Sequence, residues 1–186
     1  MTKPDNKQRR FSLLLYFSNL GARLGLTSSM VLLGALHEAD DSGVGNIDTA
    51  NELYRRAARK GNAQAMWRLG VNHLSSKEGV TDHEQAIFWI KRAADSGDAM
   101  AAWALGKMYL AGHPLEKDVS AGMLLLQRSA ASGYSPACLA LAEIYQHGQD
   151  GVEADSEAGR RWLVRSRPGM QRLLIRLGLA RVGNSP

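Results

Sequence analysis

The chain has 186 residues, 45% of them hydrophobic, and a formal net charge of +5. That size supports a continuous core without metal or disulfide staples, and the single cysteine, Cys138, excludes an internal disulfide. The charge sits at the ends: residues 1–10 hold four cations against Asp5, residues 160–186 hold seven arginines and no acid, and the body between is net negative, which disfavours nucleic-acid binding because that calls for a basic stripe along the body.

Gly25, Gly61, Gly97, Gly133 and Gly169 recur every 36 residues, and Leu33, Leu69, Leu105, Leu141 and Leu177 keep the same interval. The leucines are followed by Gly34, Gly70, Gly106, Ala142 and Gly178. A fixed interval of this size marks a stack of equivalent units, and the elements are read in that frame.

Residues 1–10 form a basic tail. In residues 11–26, the apolar run SLLLYF follows Lys3, Lys7, Arg9 and Arg10, as in a secretory signal. One period back from Ala57–Gly61, however, lies Gly21–Gly25, and Leu53 falls on Phe17. Asn19 and Arg23 also interrupt the run, and no A-x-A cleavage site follows. The expectation is a capping helix, half a unit of second-helix type. No uncharged apolar stretch reaches the ~18 residues a spanning helix needs, so a cytoplasmic location is expected, with membrane association or export through residues 1–24 as the alternative.

Four full units follow, at residues 27–62, 63–98, 99–134 and 135–170. In the second, Ala65, Leu69 and His73 share one stripe of a first helix, and Ala86, Trp89, Ile90, Ala93 and Ala94 share one stripe of a second. Residues 75–82 carry turn formers and no stripe, so the unit reads as an αα-hairpin, ended by Gly97 where a left-handed backbone is cheap. The last unit departs most, with Arg165 and Ser166 in place of Ala93 and Ala94. Residues 171–186 repeat the first-helix pattern with Leu177 and Gly178 in register, giving an Arg-rich capping helix and tail.

No catalytic or cofactor constellation emerges. Asp40–Asp48 resembles a calcium loop only faintly, because Gly43 and Gly45 stand where ligands are required. The histidines lack zinc-site spacing, and no P-loop, Rossmann or nucleophile-elbow motif is present. Neither metal nor cofactor is expected.

The pattern A-x3-L-G-x2-Y, then G-V-x-D, then A-x2-W-x3-A-A-x-x-G resembles the Sel1-like repeat, a relative of the tetratricopeptide repeat. Ala65, Leu69, Gly70, Gly79, Val80, Asp82, Ala86, Trp89, Ala93, Ala94 and Gly97 carry it. His73 departs, where the family usually has Tyr; Tyr109 and Tyr145 restore it. The resemblance implies an all-α, right-handed αα-hairpin solenoid, a tetratricopeptide-like superhelix with half-repeat caps. It also implies a non-enzymatic adaptor in a bacterial multiprotein complex, binding a protein or peptide on the concave face lined by the first helices. Carried over from the tetratricopeptide arrangement, the groove positions include Trp67, Val71, Trp103, Lys107, Leu110, Glu143 and Gln146, with Trp67 and Trp103 expected as an aromatic ledge. Two alternatives are an envelope or secretion-system accessory protein tethered by the N-terminal segment, and a regulator or immunity-type inhibitor docking an anionic partner on Arg165, Arg172, Arg176 and Arg181.

Overall fold

In the computed structural model the described residues are 6–39, 46–75, 81–149 and 151–166, with side chains from residue 12 onward. Among them every regular element is a helix. The chain divides into two compact units, Met1–Asp98 and Ala99–Pro186.

The first unit holds α1 (Asn6–Arg23), α2 (Thr27–Glu38), α3 (Ile47–Arg59), α4 (Ala63–Leu74) and α5 (His83–Asp95). Helices α2 and α3 form one hairpin and α4 and α5 the next; α1 packs on α2, and α3 on α4. The second unit holds α6 (Ala99–Ala111), α7 (Val119–Ala131), α8 (Ser135–His147) and α9 (Ser156–Arg165). Its hairpins are α6 with α7 and α8 with α9, joined through α7 and α8. Helices α3 and α7 thus each bury one flank against their own hairpin partner and another against the next first helix of their unit. Within α3 this covers Ala50, Leu53, Tyr54, Ala57 and Ala58, so neighbouring hairpins supply the apolar contacts that one hairpin lacks.

The two sequence combs have different physical causes. Gly25, Gly61, Gly97 and Gly133 follow second helices with φ of 83°, 83°, 90° and 84°, a left-handed turn that glycine adopts without steric cost. Gly169 lies outside the described residues. The glycine after the repeated leucine instead lets the helices of a hairpin approach: a Cβ on Gly70 would stand 2.5 Å from Ile90 Cγ1, and one on Gly106 2.9 Å from the Gly122 carbonyl.

Asparagine or aspartate starts each second helix after α1. The Asn46 side chain accepts from the Asp48 and Thr49 amides, Asp82 from Gln85 at 3.0 Å, Asp118 from Ala121 at 2.9 Å, and Asp155 from Ala158 at 2.9 Å. Such caps satisfy amides that the helix itself leaves open. They also locate a slip in the register. Asn46, Asp82 and Asp118 follow the 36-residue interval, but Asp155 comes one residue late. Its amide donates to the Tyr145 carbonyl as Asp118 does to Tyr109 and Asp82 to His73. The loop between α8 and α9 therefore holds one extra residue. Gly159 takes the place of Gly122, and buried Ser166 that of Ser129 and Ala93, so the expected alignment of Arg165 and Ser166 with Ala93 and Ala94 is corrected by one position.

Candidate functional site

In the second unit, Trp103 and Lys107 lie one turn apart on α6. The Lys107 Nζ stands 5.4 Å from the Trp103 ring centroid, a cation–π arrangement, while Lys107 itself is exposed. The indole also meets Tyr134 in a T-shaped contact, with ring centroids 5.8 Å apart. Trp103 is half-buried against the cluster of Leu110, Leu126, Ala137, Cys138, Leu141 and Ile144. Its Nε1 is fully buried and has no hydrogen-bond partner. Glu143, Gln146 and Leu139 are exposed on α8. The first helices of this unit therefore present an aromatic ring edged by a cation, and elsewhere a carboxylate, an amide and an apolar side chain.

Leu110 differs from the expectation. It is 7% exposed and belongs to the core cluster. The reason lies across the hairpin: Gly122 occupies the position held by Ala50 and Ala86 in the first unit, and a Cβ there would come 2.8 Å from Leu110 Cγ. Leu110 fills the space that this glycine leaves and is not presented to a partner.

In the first unit, Trp67 and Val71 are half-buried on α4. Beside them is a polar cluster that the spacing argument did not single out as a unit. Arg68 pairs with Glu38 at 3.2 Å, and the Asn72 amide donates to Glu38 Oε1 at 2.7 Å and to Asn51 Oδ1 at 2.8 Å. These residues tie α2, α3 and α4 together, and the only sequence signal is that Glu38 stands two periods before the groove position Leu110. Tyr54 lies behind the cluster. Burial, and then the nearby Glu38 carboxylate, hold its phenol pKa well above the ordinary range. Its hydroxyl has no partner in hydrogen-bonding geometry, so Glu38 acts on it through its charge.

Arg165 is exposed at the end of α9, with its guanidinium 5.4 Å from the Trp162 ring centroid. Arg172, Arg176 and Arg181 lie outside the described residues. Among the described residues no group of His, Cys, Asp or Glu could hold a metal ion, and no helix is long and apolar enough to cross a membrane. The segment read as a faint calcium loop lies mostly outside them.

The family model of the Sel1 repeat matches four times, over residues 27–62, 63–98, 99–134 and 135–166. The chain belongs to the Sel1 repeat family. Repeats of this family generally mediate protein–protein interaction, and the fold is a scaffold that is not in general enzymatic. Among solved structures, a Sel1 repeat protein from Oxalobacter formigenes is 24% identical with a TM-score of 0.72, over 89% of this chain and 71% of that one. A protective antigen of uropathogenic Escherichia coli with an SLR fold is 26% identical with a TM-score of 0.67; the match covers 88% of this chain and 36% of the antigen. An immunity protein of Pseudomonas aeruginosa shares the fold at 15% identity and a TM-score of 0.50, over 84% of this chain and 73% of that one. No curated protein matches the sequence.

Proposed function

We propose that this Sel1 repeat protein is a non-enzymatic adaptor that holds a protein or peptide segment on its first helices, within a bacterial multiprotein complex. One observation carries the reading: the exposed Lys107 ammonium over the half-buried Trp103 ring, with Glu143 and Gln146 exposed on the next first helix of the same unit. An aromatic anchor with charged neighbours is what a recognition surface uses, since the ring supplies contact area at little entropic cost and the charges select the partner. In the first unit, Trp67 beside the Arg68–Glu38 pair offers the same combination.

The test is selection of peptides from a displayed random library against the full chain and against Lys107→Glu/Glu143→Lys. The swap should weaken the wild-type peptides by about tenfold, the scale of one or two charge contacts, and invert the charge pattern selected. Identical peptides and affinities for both proteins would discard this surface as the binding site.

A further inference from the structure

Helix α1 exposes leucines where the equivalent positions of the second helices α3 and α5 are polar. Leu20 stands one period before Arg56 and two before Arg92, Leu24 before Lys60 and Ser96, and Leu13 before Thr49 and Gln85. All six of those polar residues are exposed. On α1 and its end, Leu13, Leu20 and Leu24 are 56%, 44% and 72% exposed, and Phe17, on the same stripe, is 63% exposed. A missing neighbour accounts for Phe17, whose counterpart Leu53 is buried in α3, but not for the three leucines. Helix α3 is packed by first helices on both flanks, α2 and α4, and its Thr49, Arg56 and Lys60 remain in solvent. On the pattern of α3, a further hairpin placed before α1 would cover Leu14 and Phe17, the counterparts of buried Ala50 and Leu53, and leave Leu13, Leu20 and Leu24 open.

Charge indicates what covers the stripe. From residue 6 to residue 37 the sequence has no acid, whereas Lys7, Arg9 and Arg10 precede the stripe and Arg23 lies near its end. Two copies meeting stripe to stripe would bring like charges together with no carboxylate between them. An anionic surface gains from the same cations, and a helix with leucines and aromatics on one face and basic flanks is suited to lie in a headgroup layer. Beside the stripe, a hollow of about 500 Å³ lined by Leu13, Leu14, Phe17, Ser18, Ser29 and Leu32 offers further apolar surface.

We propose that α1 docks the protein on an anionic membrane surface, with Leu13, Phe17, Leu20 and Leu24 inserted at the headgroup boundary and the positive charge that brackets them in the sequence favouring anionic headgroups. This is independent of partner binding on the first helices: the stripe contains none of those residues.

The experiment is flotation of the full chain with vesicles of equal parts phosphatidylcholine and phosphatidylglycerol, and with phosphatidylcholine alone. The protein should float with the anionic vesicles, release at high ionic strength, and lose about tenfold or more in partitioning in Phe17→Glu/Leu20→Glu. Both residues are exposed, so unchanged helical circular dichroism is expected for the variant. Failure to float with anionic vesicles, or flotation indifferent to the double variant, overturns the proposal. So does lipid-free self-association that the double variant abolishes, since a second copy, and not a bilayer, would then own the stripe.

Discussion

Lys107 holds its ammonium 5.4 Å from the centroid of the Trp103 ring, one turn away on the same helix, while the indole N–H is buried without an acceptor. In the recognition surface proposed above, the two residues would play different parts. Trp103 is fixed by packing against Tyr134 and the core of its unit, and Lys107 remains in solvent, free to trade its contact with the ring for one with a carboxylate.

Trp103 therefore has a structural share that Lys107 lacks. Trp103→Ala should lower stability by about 2–3 kcal/mol, below the range for a fully buried tryptophan because the ring is half-exposed. Lys107→Glu should change stability by no more than about 0.5 kcal/mol. Urea unfolding of both variants measures this, and the contrast makes the lysine the cleaner probe of binding.

Glycines of the two combs should respond in opposite order. At Gly106 a Cβ meets the Gly122 carbonyl at 2.9 Å and Leu126 Cγ at 3.2 Å, so Gly106→Ala should cost about 1–3 kcal/mol and Gly106→Asn more. At Gly61 a Cβ meets nothing within 4 Å, but φ is 83°. Gly61→Ala should cost about 1 kcal/mol, and Gly61→Asn less, because Asn tolerates the left-handed region. Chemical denaturation of the four variants gives the ranking.

Removing a cap should unfasten a hairpin by a modest, predictable amount. Asp118→Ala loses the acceptor for the Ala121 amide and should destabilise by about 1 kcal/mol, with Asp118→Asn largely retaining the cap. The midpoint of urea unfolding should fall at unchanged slope.

Tyr54 makes stability depend on alkaline pH. Its folded pKa is raised, first by burial and then by Glu38, so the unfolded chain releases this proton near pH 10 while the folded one keeps it. The contribution is fully present below about pH 10 and is lost above it, at up to about 1.4 kcal/mol per pH unit. Tyr54→Phe should flatten that decline. It should also leave stability at neutral pH unchanged or raised by up to about 1 kcal/mol, since the hydroxyl removed has no partner. Urea unfolding at a series of pH values tests both.

Much of this architecture was legible in the sequence because each comb answers to a local requirement: Gly97 to a positive φ, Gly70 to a hairpin approach, Asp82 to an open amide. What escaped depends on insertion and on neighbours across the hairpin. The extra loop residue before Asp155 comes after Leu141, the last repeated leucine among the described residues, so the leucine comb up to that point carries no sign of it. Leu110, Leu74, Glu38 and Gln146 share one place in the repeat, yet Leu110 is core, Glu38 is ion-paired and Gln146 is exposed. Gly122 leaves room for Leu110, but Gly159 leaves similar room beside Gln146, which stays exposed, so it is the apolar side chain together with the glycine that turns Leu110 inward.

The central claim is that a partner lies along the first helices, and the chain carries its own reporters. Of its four tryptophans, Trp67 and Trp103 stand on the first helices α4 and α6, whereas Trp89 and Trp162 stand on the second helices α5 and α9. Indole N–H resonances recorded during titration with a selected peptide separate first helices from second helices within each unit. The expected result is a shift of the Trp67 and Trp103 signals with those of Trp89 and Trp162 unmoved. Movement of Trp89 and Trp162 alone would contradict it.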